Sequence, residues 1–379
     1  MRLGLLTARN LRRRPLRTLL TVLGVASAML LFVLVESLSA GLDAALSGSQ
    51  AARTLIVYRQ NRYCPQTSFL PERYQGLIEG VPGVESALPV KVFLSNCRAS
   101  LDIVVFQGAP VAELLSTREL DVVAGDTARF ERESDAALVG QEFATRRGLS
   151  VGDRFRFGGI DVNVAGVFRS SEPVEEGIVL THLDFLQRAG PVDRLGTVTQ
   201  FEVKIDDPAR GQEIAREIDA RLRTAEEPTD TRPKLAFLET ATRDLREILR
   251  FGRWLALACV AVVLALVANT VIMSVQERVK EFGVFRTLGY RPSRIATLVV
   301  AEALLLGAAG TVLGLAAALA VIRTAHLSIG SEGVPVAFLL SGAVVAKGAL
   351  AALGAALFAA LLPAFNAGRR EIVVALRSA

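Results

Sequence analysis

The sequence predicts a membrane protein: four transmembrane α-helices, with a large α+β extracytoplasmic domain inserted between helices 1 and 2. Three observations predict it. Trp254 to Gln276 and Ala303 to Ile322 hold 23 and 20 residues without a charge, each enough to cross a hydrocarbon core of about 30 Å as a helix. Two further apolar runs flank them, Thr18 to Val35 without a charge and Gly333 to Gly368 interrupted only by Lys347. Between the first and second runs lies a long hydrophilic insert, so a mean hydropathy of +0.40 averages two unlike regions.

Taken in order, residues 1–17 read as a cytoplasmic amphipathic helix and 18–40 as the first span. Its apolar run is longer than a secretory h-region of about 7–15 residues, and Ser37-Leu-Ser-Ala-Gly41 is a poor cleavage site, so the run reads as a retained helix. Residues 41–250 form the external domain, 251–276 the second span, 277–294 a cytoplasmic loop and 295–323 the third span. A short external loop follows at 324–335, then the fourth span at 336–362 and a cytoplasmic tail at 363–379. Charge sets the orientation. The three segments assigned to the cytoplasm carry +6, +3 and +2, whereas Glu36 to Arg253 carries 27 basic and 33 acidic residues. Basic loops stay inside. The overall +5 is therefore topological, its basic residues lying beside anionic membrane lipids, and no nucleic-acid partner is expected.

Inside the external domain, Thr54–Tyr58, Ile103–Gly108, Arg154–Phe157, Asp161–Phe168, Gly177–Leu180 and Gln200–Ile205 read as strands by β-branched content and flanking turn residues. Pro71–Glu79, Gln141–Arg147 and Pro208–Arg223 read as helices, the last with Ile214, Ile218 and Leu222 on one face. Glu226 to Pro233, polar and proline-punctuated, reads as a linker. From about Phe237 a further helix is expected to run into the second span.

Little in the chain points to catalysis. Its two histidines, His182 and His326, have no partner at metal-ligand spacing, and there is no G-x-x-x-x-G-K-[ST] phosphate loop. Glu175 and Glu176 read as solvated surface. Cys64 and Cys97 fall in the external domain, where a disulfide and two unpaired thiols are both open. No metal site and no cofactor are expected in this chain, and the residues give no positive reason to read it as an enzyme.

Polar residues within the spans need partners. Glu302 is expected to accept a bond from a neighbouring helix end, Asn269 to bond across helices, and Lys347 to snorkel outward or to precede the true start of its helix. Gly307, Gly310 and Gly314 give one small-residue face, for packing within the subunit or across a dimer.

The most specific stretch is the loop after the second span. Glu277-Arg278, Glu281, Gly283, Arg286 and Leu288-Gly289 spell E-R-x-x-E-x-G-x-x-R-x-L-G. With it go Asn10-Leu-Arg-Arg-Arg-Pro-Leu-Arg17 running into the first span and, in the external domain, Ala137-Leu-Val-Gly140, Leu149-Ser-Val-Gly-Asp153 and Val164-Ala-Gly-Val-Phe168. Pro363-Ala-Phe-Asn-Ala-Gly-Arg-Arg370 and Ala375-Leu-Arg377 close the chain, with Ile372-Val-Val where a proline is the family's usual choice. Together these resemble the permease subunits of ABC transporters of the MacB/FtsX/LolC, or mechanotransmission, type.

That resemblance implies a coupling helix at 277–294 that docks on a separate ATPase subunit, which binds the ATP and Mg. Glu277, Arg278, Glu281 and Arg286 are then candidates for charge pairing across the interface, and Phe282, Val284, Phe285 and Leu288 for apolar anchors. It also implies a second permease chain and, in some members, a periplasmic adaptor. The setting is the bacterial inner membrane, with both termini cytoplasmic and the large domain periplasmic. The activity implied is export or extraction of a lipid, lipoprotein or hydrophobic peptide, or alternatively FtsX-like activation of a periplasmic cell-wall hydrolase.

Overall fold

The computed structural model describes residues 14–46, 51–62, 67–94, 100–101, 103–190, 192–324, 328–331 and 334–369. Cys64, Cys97, His326 and most of the amphipathic N-terminal segment lie outside these. The chain divides into two compact units, a helical one (1–40, 249–324, 339–379) and a mixed one (41–248, 325–338).

Among the described residues, four helices are long and apolar enough to span a membrane: Pro15–Ala45, Arg243–Glu277, Pro292–Thr324 and Gly342–Ala367. Each buries one stripe, because side chains three and four residues apart share a helix face. The second contributes Val263, Val267, Val271 and Val275. The fourth contributes Ala352, Ala355, Ala356, Ala359, Ala360, Ala364 and Ala367, a seam small enough for close backbone approach. Phe251 and Trp254, both exposed at the head of the second span, suit a membrane interface.

The glycine face of the third span is used within the subunit. A Cβ on Gly310 would stand 2.5 Å from Val25 Cβ, one on Gly314 2.5 Å from the Ala26 carbonyl, and one on Gly307 2.8 Å from Ala356 Cβ. The first two therefore seat the first span and the third seats the fourth. Gly314→Ile is expected to force those helices apart at about 1–3 kcal/mol, read as a lower SDS fraction at the unfolding midpoint of the purified protein; an unchanged midpoint would refute the contact.

Lys347 reaches Glu36 at 4.0 Å, and Glu36 also faces Arg253 at 3.9 Å. This trio ties the fourth, first and second spans, and being mostly exposed it contributes little stability. Asn269 is exposed on the outer side of the second span, away from the other three helices.

The mixed unit is built on one ten-stranded sheet. Its strands are β1 (Thr54–Arg59), β2 (Val84–Leu94), β3 (Val105–Ala109), β4 (Leu120–Gly125), β5 (Ala136–Gly140), β6 (Arg154–Phe157), β7 (Ile160–Ser170), β8 (Val179–His182), β9 (Gln200–Ile205) and β10 (Thr229–Pro233). They run in the order β10-β1-β9-β2-β3-β8-β5-β7-β4, with β6 also on β7. Among the described residues, only β8 with β3 and β5 with β7 are parallel. Helix Gly211–Arg221 lays Ile214 and Ile218 onto Leu55, Val57, Phe201 and Val203, so the predicted amphipathic face is a core face.

Besides strands β2, β4 and β5, which are not among the strands read from the sequence, four features differ. The supposed linker holds an edge strand, β10: Asp219 Oδ1 accepts from the Thr229 and Thr231 hydroxyls at 2.8 and 2.7 Å, and Pro233 ends the strand, where proline is tolerated. The helix expected from Phe237 is two helices, Lys234–Ala241 and Arg243–Glu277, separated at Thr242. The short external loop between the third and fourth spans forms a hairpin, β11 (Ser328–Ser331) with β12 (Val334–Ala337), and β11 also pairs with Ser100–Leu101. It belongs to the mixed unit, where Val334 packs on Leu238 and Ala241. Gly41 is required beside it, since a Cβ there would collide with the Ala337 carbonyl oxygen.

The fourth difference is Glu175, read as solvated and found only 7% exposed. It accepts from Ser170 Oγ at 2.6 Å and faces Arg118 at 3.5 Å. His182 is structural: its Nε2 lies 2.5 Å from the Phe130 carbonyl oxygen.

Candidate coupling site

The signature loop folds as a short helix, Val279–Thr287, between the ends of the second and third spans. Three sequence features shape it. Arg278 breaks the long helix with φ −109 and ψ 12. Gly289 closes the short one at φ +86, a left-handed value that glycine adopts without strain. Pro292 then opens the third-span helix, where a missing N–H costs nothing.

The helix has an inner and an outer face. Inward, Phe282 is 5% exposed and packs in the cluster of Val275, Ile295, Val299 and the alanines of the fourth span; Gly283 is buried and Phe285 partly buried beside them. Outward, Val284, Leu288 and Tyr290 are exposed, with Leu288 at 70%; Gly289 and Lys280 are exposed as well. Two of the four expected apolar anchors, Phe282 and Phe285, therefore hold the helix to its own bundle.

Arg278 also points inward. Its Nε donates to Glu281 Oε2 at 3.0 Å and its Nη1 to Glu302 Oε2 at 3.2 Å. Ser274 Oγ donates to the other Glu302 oxygen at 3.0 Å. The buried carboxylate of the third span is thus held by the second residue of the signature and by the second span. Glu277, the motif's leading residue, receives Arg17 at 3.2 Å and Arg14 at 3.5 Å. Thr21 and Thr270 share a hydrogen bond of 2.8 Å further in. Arg14, Arg17, Thr270, Ser274, Glu277, Arg278, Glu281 and Glu302 line a polar cavity of about 190 Å³.

Chemically this is a clamp. Three guanidiniums face three carboxylates at the meeting of the first, second and third spans with the short helix, so the short helix cannot shift without breaking ion pairs or carrying the spans along. Sequence reasoning singled out Glu277, Arg278, Glu281 and Glu302 separately, took Arg14 and Arg17 only as part of the basic entry segment, and missed Ser274 and Thr270. Arg17 and Glu277 are 260 residues apart, and no periodicity links such a pair.

One pentapeptide of the mixed unit has the spelling of a catalytic motif. Gly148-Leu-Ser-Val-Gly152 reads G-x-S-x-G, the nucleophile-elbow pattern, which belongs on a strand-to-helix turn. Here it runs from helix Gln141–Arg147 into β6, with Gly148 and Gly152 at positive φ and Asp153 accepting from the Ser150 N–H. It is a helix-to-strand turn.

Similarity to known proteins follows the same division. The family model for the MacB-like periplasmic core domain matches residues 18–221, and that for the FtsX-like permease C-terminal region matches 254–372. An uncharacterized ABC transporter permease protein of Mycobacterium tuberculosis is 23% identical over 324 residues, 81% of this chain and 36% of the relative, so the chain spans little more than a third of that protein's length. The extracellular domain of the noncanonic ABC-type transporter YknZ from Gram-positive bacteria covers 47% of this chain and 99% of its own, at 17% identity and a TM-score of 0.34. The periplasmic region of MacB from Actinobacillus actinomycetemcomitans covers 51% and 92%, at 10% identity and a TM-score of 0.35. The first family model alone spans more than half of the chain, and the second takes up the remaining spans and the signature loop, so the chain belongs to the MacB/FtsX family of ABC transporter permeases.

Proposed function

We propose that this permease converts ATP hydrolysis by a separate ATPase subunit into work in its extracytoplasmic domain. The observation that carries the reading is the two-faced helix Val279–Thr287, with Arg278 and Phe282 fixed into the bundle and Val284 and Leu288 left outward. The outward residues meet the ATPase, which holds the ATP and Mg. The inward ones pass its closure to the spans. Glu277, Glu281 and Arg286 flank the outer face and set the register of docking. The exposed Asn269, an amide on an otherwise apolar helix surface, is satisfied by a second permease chain.

The cargo class is a lipid, lipoprotein or hydrophobic peptide, moved out of the inner membrane, with or without an adaptor on the far side. The apolar helix surfaces and a wide external sheet suit work on hydrophobic cargo. With both termini and the short helix cytoplasmic, the mixed unit faces the periplasm.

Leu288→Glu tests the docking face. An exposed apolar anchor turned into a charge is expected to weaken binding of the cognate ATPase at least thirtyfold, about 2 kcal/mol, with the permease still folded, as measured by titration in nanodiscs. Leu288→Met should bind nearly as wild type. Unchanged affinity in Leu288→Glu would overturn the docking assignment.

A further inference from the structure

The mixed unit carries a second polar site, distinct from the clamp. Its floor is the sheet face bearing Gln107 of β3 and Glu202 of β9, with Arg118 beside them. Arg118 is 6% exposed and Glu202 8%. Arg118 Nη2 donates to Glu202 Oε1 at 2.9 Å and to Gln107 Oε1 at 2.8 Å. Its Nε and Nη1 are buried and have no hydrogen-bond acceptor among the described residues; Nε lies 3.5 Å from Glu175 but is not aligned with it. At the rim, Lys234 Nζ approaches Glu175 only to 3.9 Å, beyond hydrogen-bond reach. The roof is apolar: Phe237 and Leu238 from helix Lys234–Ala241, Val334 from the β11–β12 hairpin, and Val174. Floor and roof enclose a cavity of about 50 Å³.

The chemistry of a ligand follows from this inventory. Two cations face two carboxylates, so the charges balance, yet two of the guanidinium N–H groups find no aligned acceptor. A buried donor without an acceptor is costly. An anion would supply the acceptor but leave a net buried charge, which is costlier still. A neutral acceptor satisfies the donors and keeps the balance, and the roof selects one carried on methylenes. At roughly 10–15 Å³ for each water-sized group, the cavity admits a carbonyl group and little more of the chain.

We propose that this cavity binds the ester carbonyl of an acyl ester, with Arg118 Nε and Nη1 as donors and Phe237, Leu238 and Val334 against the acyl chain. The site needs no ATPase and stands apart from the coupling assignment. Both roof elements lead in sequence directly into membrane helices, the one at Lys234–Ala241 into the second span and the hairpin into the third and fourth. An ester lodged under them therefore touches the two segments that join the mixed unit, along the chain, to three of the four spans.

The test uses the full chain in nanodiscs, with ethyl butyrate and sodium butyrate as soluble probes and empty nanodiscs as reference. Saturation-transfer NMR should show saturable binding of the ester and at least tenfold weaker binding of butyrate. Leu238→Trp, which fills the cavity, should abolish the ester signal. Hydrogen exchange of the wild-type chain should slow with ester at 234–241 and 334–337, a readout that stands even if the tryptophan variant fails to fold. No saturable ester signal, an equal signal from a folded Leu238→Trp, or exchange unchanged in both segments would overturn the site. Butyrate binding as well as the ester would overturn the neutral-acceptor assignment.

Discussion

Arg118→Met is expected to destabilise the external unit by about 3–5 kcal/mol, because removing one partner of a buried ion pair leaves the other uncompensated. Two carboxylates depend on this guanidinium, Glu202 at 2.9 Å and Glu175 at 3.5 Å. Burial works against charge on both Arg118 and Glu202, but their mutual attraction prevails: the Arg118 pKa is raised and that of Glu202 is held below its usual 4.5. The sign for pH follows. A carboxylate whose folded pKa lies below its unfolded value contributes stability that is complete above about pH 4.5 and is lost as pH falls through the folded value. Wild-type protein should therefore weaken in acid below 4.5, and Glu202→Gln should flatten that acid limb. Hydrogen exchange of β2 and β9 amides measures both effects, since those strands flank the pair and open with the unit. If Arg118→Met leaves their protection at pH 7 unchanged, the pair contributes no net stability.

The buried charges also show where sequence reading stops. The four spans were legible because a bilayer demands long uncharged runs, and the core face of Ile214, Ile218 and Leu222 because a 3.6-residue period is local. Strand β2 was not legible: Glu85, Pro89 and Lys91 interrupt its apolar residues, and Pro89 is accommodated opposite Phe201 in the assembled sheet. β10 reads as a polar linker because its anchor, Asp219, is supplied by another element. Glu175 looks like surface beside Glu176 until Arg118, 57 positions earlier in the chain, is folded against it. The same limit applied to the coupling loop. Its motif was plain in the sequence, whereas the division into a bundle-facing Phe282 and an outward Leu288 depends on Ile295 and the alanine seam of the fourth span, which no spacing within the loop encodes.

Arg278→Ala is expected to separate docking from transmission, and this is the sharpest consequence of the clamp. The substitution removes the donor to Glu302 Oε2 and leaves that carboxylate, 8% exposed within the third span, with Ser274 alone. By the cost of an unpaired buried charge the bundle should lose about 3 kcal/mol, seen as a lower SDS midpoint. Because Val284 and Leu288 keep their outward positions, ATPase binding should persist while stimulated ATP turnover and export fall, the reverse of Leu288→Glu, which loses binding first. Arg278→Lys should rescue little: one ammonium cannot bridge Glu281 and Glu302 as the forked guanidinium does. The exchange Arg278→Glu with Glu302→Arg should recover more than either single change, with a coupling energy above about 1 kcal/mol in the double-mutant cycle. Additive single effects would mean that the two residues act independently, and the helix Val279–Thr287 would then be held by Phe282 packing alone. In that case the inward apolar face, and not the ion pair, would carry motion from the ATPase to the third span.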